Sequence, residues 1–121
     1  MKYRSFTDMP VWKNSIKLSG KVFILTVSLP RSEDYGLTSQ LRRAANSVSA
    51  NIAEAFGRNT NKDKASFYIH SRGSAFEVQS HLRYGEEVGY FDTVNISDIF
   101  EKYSILVHDL NKIIKTLNSK P

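Results

Sequence analysis

In the run from Leu37 to Arg58, apolar residues return every three or four positions: Leu37, Leu41, Ala44, Ala45, Val48, Ile52 and Phe56. That period puts them on one stripe of a single α-helix. A second stripe, Arg43, Ser47, Asn51, Glu54 and Arg58, is polar and equally regular. The same period predicts three more helices. The first runs from about Met9 to Ser28, with Asp8 as its N-cap and Pro10 in its first turn, where a missing N–H is harmless. Its apolar stripe reads Val11, Trp12, Ile16, Val22, Phe23 and Leu29, with Ser19 and Thr26 completing the spacing, and Pro30 stops it. The connector Arg31 to Gly36 has room for one helical turn.

Gly57 is placed to close the second helix in a left-handed conformation. Thr60-Asn61-Lys62-Asp63 then resembles a capping box, with Asp in place of Glu. The third helix spans about Lys62 to Val88 and carries the stripe Phe67, Ser71, Ser74, Ala75, Val78, Leu82 and Gly85. Gly73, mid-helix, predicts a close backbone approach by a neighbouring helix, because an interior Gly otherwise costs about 1 kcal/mol relative to Ala. Gly89 ends this helix, and Tyr90-Phe91 packs over the turn. The fourth helix starts near Asn95. Ile96, Tyr103, Leu110 and Leu117 repeat every seven residues, interleaved with Ile99 or Phe100, Leu106 or Val107, and Ile113 or Ile114. This stripe is wider than one partner helix requires, which suits a helix that also touches another subunit. Ser119 to Pro121 reads as a short frayed tail. Four long amphipathic helices with short connectors define an all-α, antiparallel up-down-up-down four-helix bundle.

The length of 121 residues fits one domain, 1–121. Without cysteine there are no disulfides or thiolate metal sites, which fits a reducing cytoplasm. No apolar run approaches the roughly 20 residues of a membrane span, and Met1 to Pro10 lack the apolar core of a signal peptide. The expectation is a cytoplasmic protein with no membrane role.

Candidate chemistry is sparse. A carboxylate-bridged metal centre in a bundle needs Glu-x-x-His pairs; Glu77 and His81 are four apart, and no second pair exists. No nucleophile elbow and no glycine-rich phosphate loop occurs. The expectation is a non-enzymatic protein with no metal and no cofactor. The polar stripe has two readings. In one it is solvated, with an i,i+4 Glu54–Arg58 pair. In the other, which the compact Ser47, Asn51 and Ser74 favour, Arg43, Ser47, Asn51 and Glu54 form a structural polar network with Ser74 and Glu77 of the third helix, fixing helix register.

The net charge of +5 is the one global pointer to a partner, since basic proteins attract polyanions. Lys13, Lys17 and Lys21 form a helical stripe. Arg42, Arg58, Lys62 and Lys64 lie on the second and third helices or their junction. These seven are the candidate RNA- or DNA-binding residues. The competing reading is a scaffold for a protein partner, with the charge serving solubility alone.

The residues also resemble a known family. The likeness runs through Phe6, Val11-Trp12-Lys13, Leu29-Pro30, Glu33 and Tyr35-Gly36-Leu37. Its most specific part is Gln40-Leu41-Arg42-Arg43-Ala44-Ala45, Ser47-Val48, Asn51-Ile52-Ala53-Glu54 and Gly57-Arg58. Gly73-Ser74, Glu77, Leu82 and Gly89-Tyr90 complete it. Together these resemble the bacterial four-helix bundle family named after proteins encoded in 23S rRNA intervening sequences. Ser49 stands where that family usually has Pro, and Ala55 where it usually has Gly; both changes favour a straighter second helix. The resemblance implies a homo-oligomer, specifically a homopentameric ring. The related accessory variability determinants of diversity-generating retroelements are basic barrels that bind nucleic acid and a reverse transcriptase. This chain is more similar to the stand-alone branch.

Overall fold

The computed structural model describes residues 3–119. Four helices run α1 (Pro10–Val27), α2 (Leu37–Phe56), α3 (Asn61–Glu87) and α4 (Thr93–Asn118). Single 3₁₀ turns at Phe6–Asp8 and Arg31–Glu33 precede α1 and α2. Each helix packs on the next, and α4 returns to α1. The result is an all-α four-helix bundle in which α1 and α3 lie on one diagonal, α2 and α4 on the other. α2 continues unbroken through Ser49 and Ala55. Of the expected tail, Ser119 closes α4 as its C-cap; Lys120 and Pro121 lie outside the described residues.

The core gathers the stripes of α2 and α4 as the spacing predicts. Leu41, Val48, Ile52, Ile96, Tyr103, Leu106 and Leu110 are fully or almost fully buried. On α3, Ser71, Ala75, Val78, Leu82 and Gly85 are buried as expected, but Phe67 and Ser74 are only half-buried, while Ala65, Tyr68 and Gln79 join the core. The small residues bring hydroxyls to neighbouring backbones. Ser71 Oγ donates to the Val48 carbonyl at 2.8 Å, and Ser19 Oγ to the Ala45 carbonyl at 3.1 Å. Such bonds fix the axial register of adjacent helices. Two polar atoms break this pattern: the Thr38 and Tyr103 hydroxyls are buried with no hydrogen-bond partner among the described residues. Burial pushes the pKa of the larger, Tyr103, far up.

α1 departs from the expected stripe. Its core face is Val11, Ser15, Leu18, Val22 and Thr26. Trp12 and Leu29 are half-buried, and Ile16 and Phe23 are exposed. Ser15 and Thr26 can face the core because their hydroxyls bond carbonyls of their own helix, Ser15 Oγ to Trp12 at 2.8 Å and Thr26 Oγ1 to Val22 at 3.0 Å. A satisfied hydroxyl is cheap to bury.

Several helix ends also differ. Met9, not Asp8, is the N-cap of α1, with Pro10 at its first position. Gly57 closes α2 at φ −83°, in the right-handed region, so no left-handed glycine is needed there. The carbonyls at the end of α2 are met instead by Lys64, whose Nζ donates to Phe56 O at 3.0 Å and Ala55 O at 3.3 Å. α4 begins two residues early: Asp92 is its cap, with Oδ1 accepting from the Asn95 N–H at 2.8 Å. Thr60 does cap α3, accepting from the Asp63 N–H at 3.1 Å.

The positive φ falls at Gly89 (89°), where the chain leaves α3. Phe91 then turns back and buries its ring against Gly85, where a Cβ would collide with it. Gly73, by contrast, is exposed, and a Cβ built there meets nothing within 4 Å. The close approach expected at Gly73 does not occur within the chain; it occurs at Gly85.

The wide stripe of α4 is taken up inside the bundle. Ile99, Leu106, Val107 and Ile114 are buried, with Phe100, Ile113 and Leu117 half-buried against the core. Its width therefore does not by itself call for a second subunit.

Candidate nucleic-acid interface

Lys13, Lys17 and Lys21 are all exposed on α1. Four-residue spacing advances each about 40° around the helix, so they form one slanting row that starts on the outer face at Lys13 and reaches α4 at Lys21. Lys17 and Lys21 line a groove of about 320 Å³ between α1 and α4, floored by Leu18 and Leu106 and flanked by Asn14 and Ile105. Lys102 of α4 joins them from the opposite wall. Asp98 sits among the ammonium groups, 3.1 Å from Lys102 Nζ and 3.5 Å from Lys21 Nζ. The hydrogen bond from Lys102 holds its carboxyl below the usual range, and Lys21 adds to the effect. One carboxylate thus serves two lysines. Lys13 and Lys17 have no ion pair among the described residues. Lys102 escapes sequence reasoning because its row is assembled only when α4 closes on α1; the signal available is its place directly before core residue Tyr103.

The other four candidates do not extend this surface. Arg42 lies between α1 and α2: its Nε donates to Thr26 Oγ1 at 2.8 Å, and its guanidinium stacks 4.1 Å from the Phe23 ring centroid. Arg58 pairs with Glu54 at 2.8 Å and lies 4.4 Å from the Phe67 ring centroid. Lys64 holds the end of α2. Only Lys62 at this junction is exposed with no bonded partner among the described residues. These residues stabilise the α1–α2 contact and the α2–α3 turn.

The six polar residues of α2 and α3 divide into three groups. Ser74 Oγ meets Ser47 Oγ at 2.9 Å, and Asn51 Nδ2 donates to Ser47 Oγ at 3.0 Å and Ser47 O at 2.9 Å. These three are half-buried and tie the helices together. Arg43 Nη2 donates to Glu77 Oε2 at 3.2 Å, and His81 Nε2 lies 3.4 Å from the same oxygen. Glu54 stands apart, its side chain 50% exposed and paired only with Arg58. Glu54→Ala is therefore expected to change stability by no more than about 0.5 kcal/mol. A urea midpoint displaced by the 1–3 kcal/mol typical of an unpaired buried group would place Glu54 in the inter-helix network after all.

Sequence reasoning also missed Glu33. Its Oε1 accepts from the Leu37 N–H at 2.9 Å, opening α2, and its Oε2 accepts from the Tyr90 hydroxyl at 2.9 Å. These two bonds hold its carboxyl below the ordinary range. The spacing of Glu33 to the helix start was the available signal. Among the described residues, no three metal-ligating side chains converge, and no helix is long and apolar enough to cross a membrane.

Fold and surface together define a four-helix bundle with interior hydroxyls for register and a lysine-rich groove on one flank. The model of the 23S rRNA-intervening sequence protein family matches residues 7–117, and the chain belongs to that family. A crystal structure of a protein of unknown function from the S23 ribosomal protein family of Bacteroides thetaiotaomicron shares the fold, with a TM-score of 0.78 and 19% identity. The match covers 87% of this chain and 98% of that one. No curated protein matches this sequence.

Proposed function

We propose that this protein is a non-enzymatic accessory protein of the cytoplasm that binds RNA or DNA without reading sequence, and that it does so as a homo-oligomer, a pentamer by family resemblance. The observation that supports this reading is the row Lys13, Lys17, Lys21 with Lys102 across the groove. Flexible ammonium groups without a planar recognition fork suit phosphates rather than base edges. A single row is a weak site. Repetition around an oligomer raises its effect through avidity.

The test is titration of mixed-sequence RNA and DNA with the full chain across a salt series starting at about 50 mM. Binding is expected to weaken steeply with salt. Lys13→Gln, Lys17→Gln and Lys21→Gln together should cut affinity at least tenfold for every sequence and flatten the log–log salt slope by about 2–3. The Arg58, Lys62, Lys64 group is a poorer probe, because Lys64 also holds the end of α2. Absence of binding at the lowest salt would overturn the proposal and favour the scaffold reading, in which a protein partner uses the surface.

A further inference from the structure

Two helices carry an exposed apolar strip, although on α1 the Arg42 guanidinium stacks on one face of Phe23. On α1 it is Ile16, Gly20, Phe23 and Val27; on α3 it is Ile69, Gly73 and Phe76, with the polar Ser80 at the fourth position. The spacing is the same in both, Ile-x3-Gly-x2-Phe-x3. Phe23 and Phe76 are 54% and 53% exposed, and Ile16 and Ile69 are each 39% exposed. Val27 and the adjacent Ile24 widen the first strip, and Tyr84 the second. Exposed apolar side chains gathered along one helix face in this way mark an interaction surface.

The glycines sharpen this reading. Gly20 and Gly73 sit inside long helices, where glycine weakens the helix, and a Cβ at either would meet nothing within 4 Å. The bundle itself therefore makes no use of a missing side chain at these two positions. A helix crossing from outside would, since glycine lets two backbones approach closely while the flanking Ile and Phe straddle the crossing. The lysine row runs alongside the strip: Lys17 and Lys21 turn toward the groove with α4, while Lys13 lies beside Gly20 and Ile24 on the outer face of α1.

We infer that the two strips are the two halves of one contact: the Ile16–Val27 face of α1 in one copy docks on the Ile69–Ser80 face of α3 in the next, with Gly20 and Gly73 at the crossing. The occupant is a second copy because the chain carries both matched halves. The halves lie on diagonal helices and point away from each other, so the contact is heterologous. Each copy offers one face to each of two neighbours, which produces a ring when the rotation closes. This inference rests on the self-assembly proposed above and names its surfaces.

The test uses the full chain at micromolar concentration, with mass from light scattering and helicity from circular dichroism. Gly20→Leu and Gly73→Leu add a side chain into open space on an exposed helix face, so each should fold with undiminished helicity. Each alone is expected to fall to the single-chain mass of 13.8 kDa. An equimolar mixture should form a two-chain species, because Gly73→Leu keeps the α1 face and Gly20→Leu keeps the α3 face. Phe76→Arg, at an exposed position, should reproduce the Gly73→Leu result and guards against a misfolded variant. Wild-type mass retained by both glycine variants overturns the assignment of surfaces while self-assembly stands. Loss of assembly in only one of them overturns the heterologous pairing. A wild-type chain that remains single overturns both the assembly reading and this inference, and leaves the strips to a different protein.

Discussion

Phe91→Ala is expected to destabilise the fold by about 3–5 kcal/mol, the usual cost of emptying an aromatic site in a core. Phe91 is 4% exposed and is the apolar plug where the chain leaves α3 and enters α4. Its ring occupies the volume that a side chain at residue 85 would need. That shared volume makes a coupled prediction. Gly85→Ala alone should also destabilise, because the ring must shift. In the Phe91→Ala background the same change should cost little, since the space is open and alanine is the better helix former by about 1 kcal/mol. Urea unfolding at one fixed protein concentration measures all three variants. Additive losses would mean that ring and glycine are not in contact.

Leu41→Ala is expected to cost about 2–5 kcal/mol. Leu41 is wholly buried on the core stripe of α2, the helix that packs on both α1 and α3. Truncation leaves a cavity that these helices cannot easily close, because Ser19 and Ser71 bind backbone carbonyls of α2 at fixed heights. The loss should appear in the urea midpoint with little change in slope. A shift below about 1 kcal/mol, outside the range for buried leucine, would mean that the bundle repacks around the gap.

The fold was legible in the sequence where large aliphatic side chains and helical period agree. α2 and α4 follow the expected stripes almost residue for residue, since Leu41, Val48, Ile52, Ile96, Leu106 and Leu110 have nowhere to go but inward. α1 was misread for a definite reason. Its bulkiest residues, Ile16 and Phe23, lie outside the core of their own chain, and Ser15 and Thr26 take inward positions with hydroxyls satisfied locally. A rule that buries the largest apolar residues rotates such a helix. Gly73 was misread likewise: the sequence reports that a small residue is tolerated, not which neighbour comes close. The polar stripe of α2 was legible as a pattern but not as a single network. Whether Glu54 reaches across to α3 or folds back to Arg58 depends on side-chain paths that spacing leaves open. Lys102 lay beyond sequence reasoning, because its position opposite Lys17 and Lys21 exists only once α1 and α4 are adjacent.

The placement of Arg42 carries a lesson about counting charge. By formula this guanidinium adds one unit to a basic chain. In the fold it is clamped between a threonine oxygen and a phenylalanine face, and Arg58 and Lys64 are similarly tethered at the α2–α3 turn. A cation held this way still contributes to the far field, yet it cannot swing out to follow a moving ligand. Formal charge belongs to the composition; addressable charge belongs to the architecture. In this protein the row on α1 keeps Lys13 and Lys17 free, and Lys62, Lys112 and Lys115 stand exposed without a bonded partner among the described residues, so the addressable charge is a smaller set than the formula counts and is carried by three of the four helices.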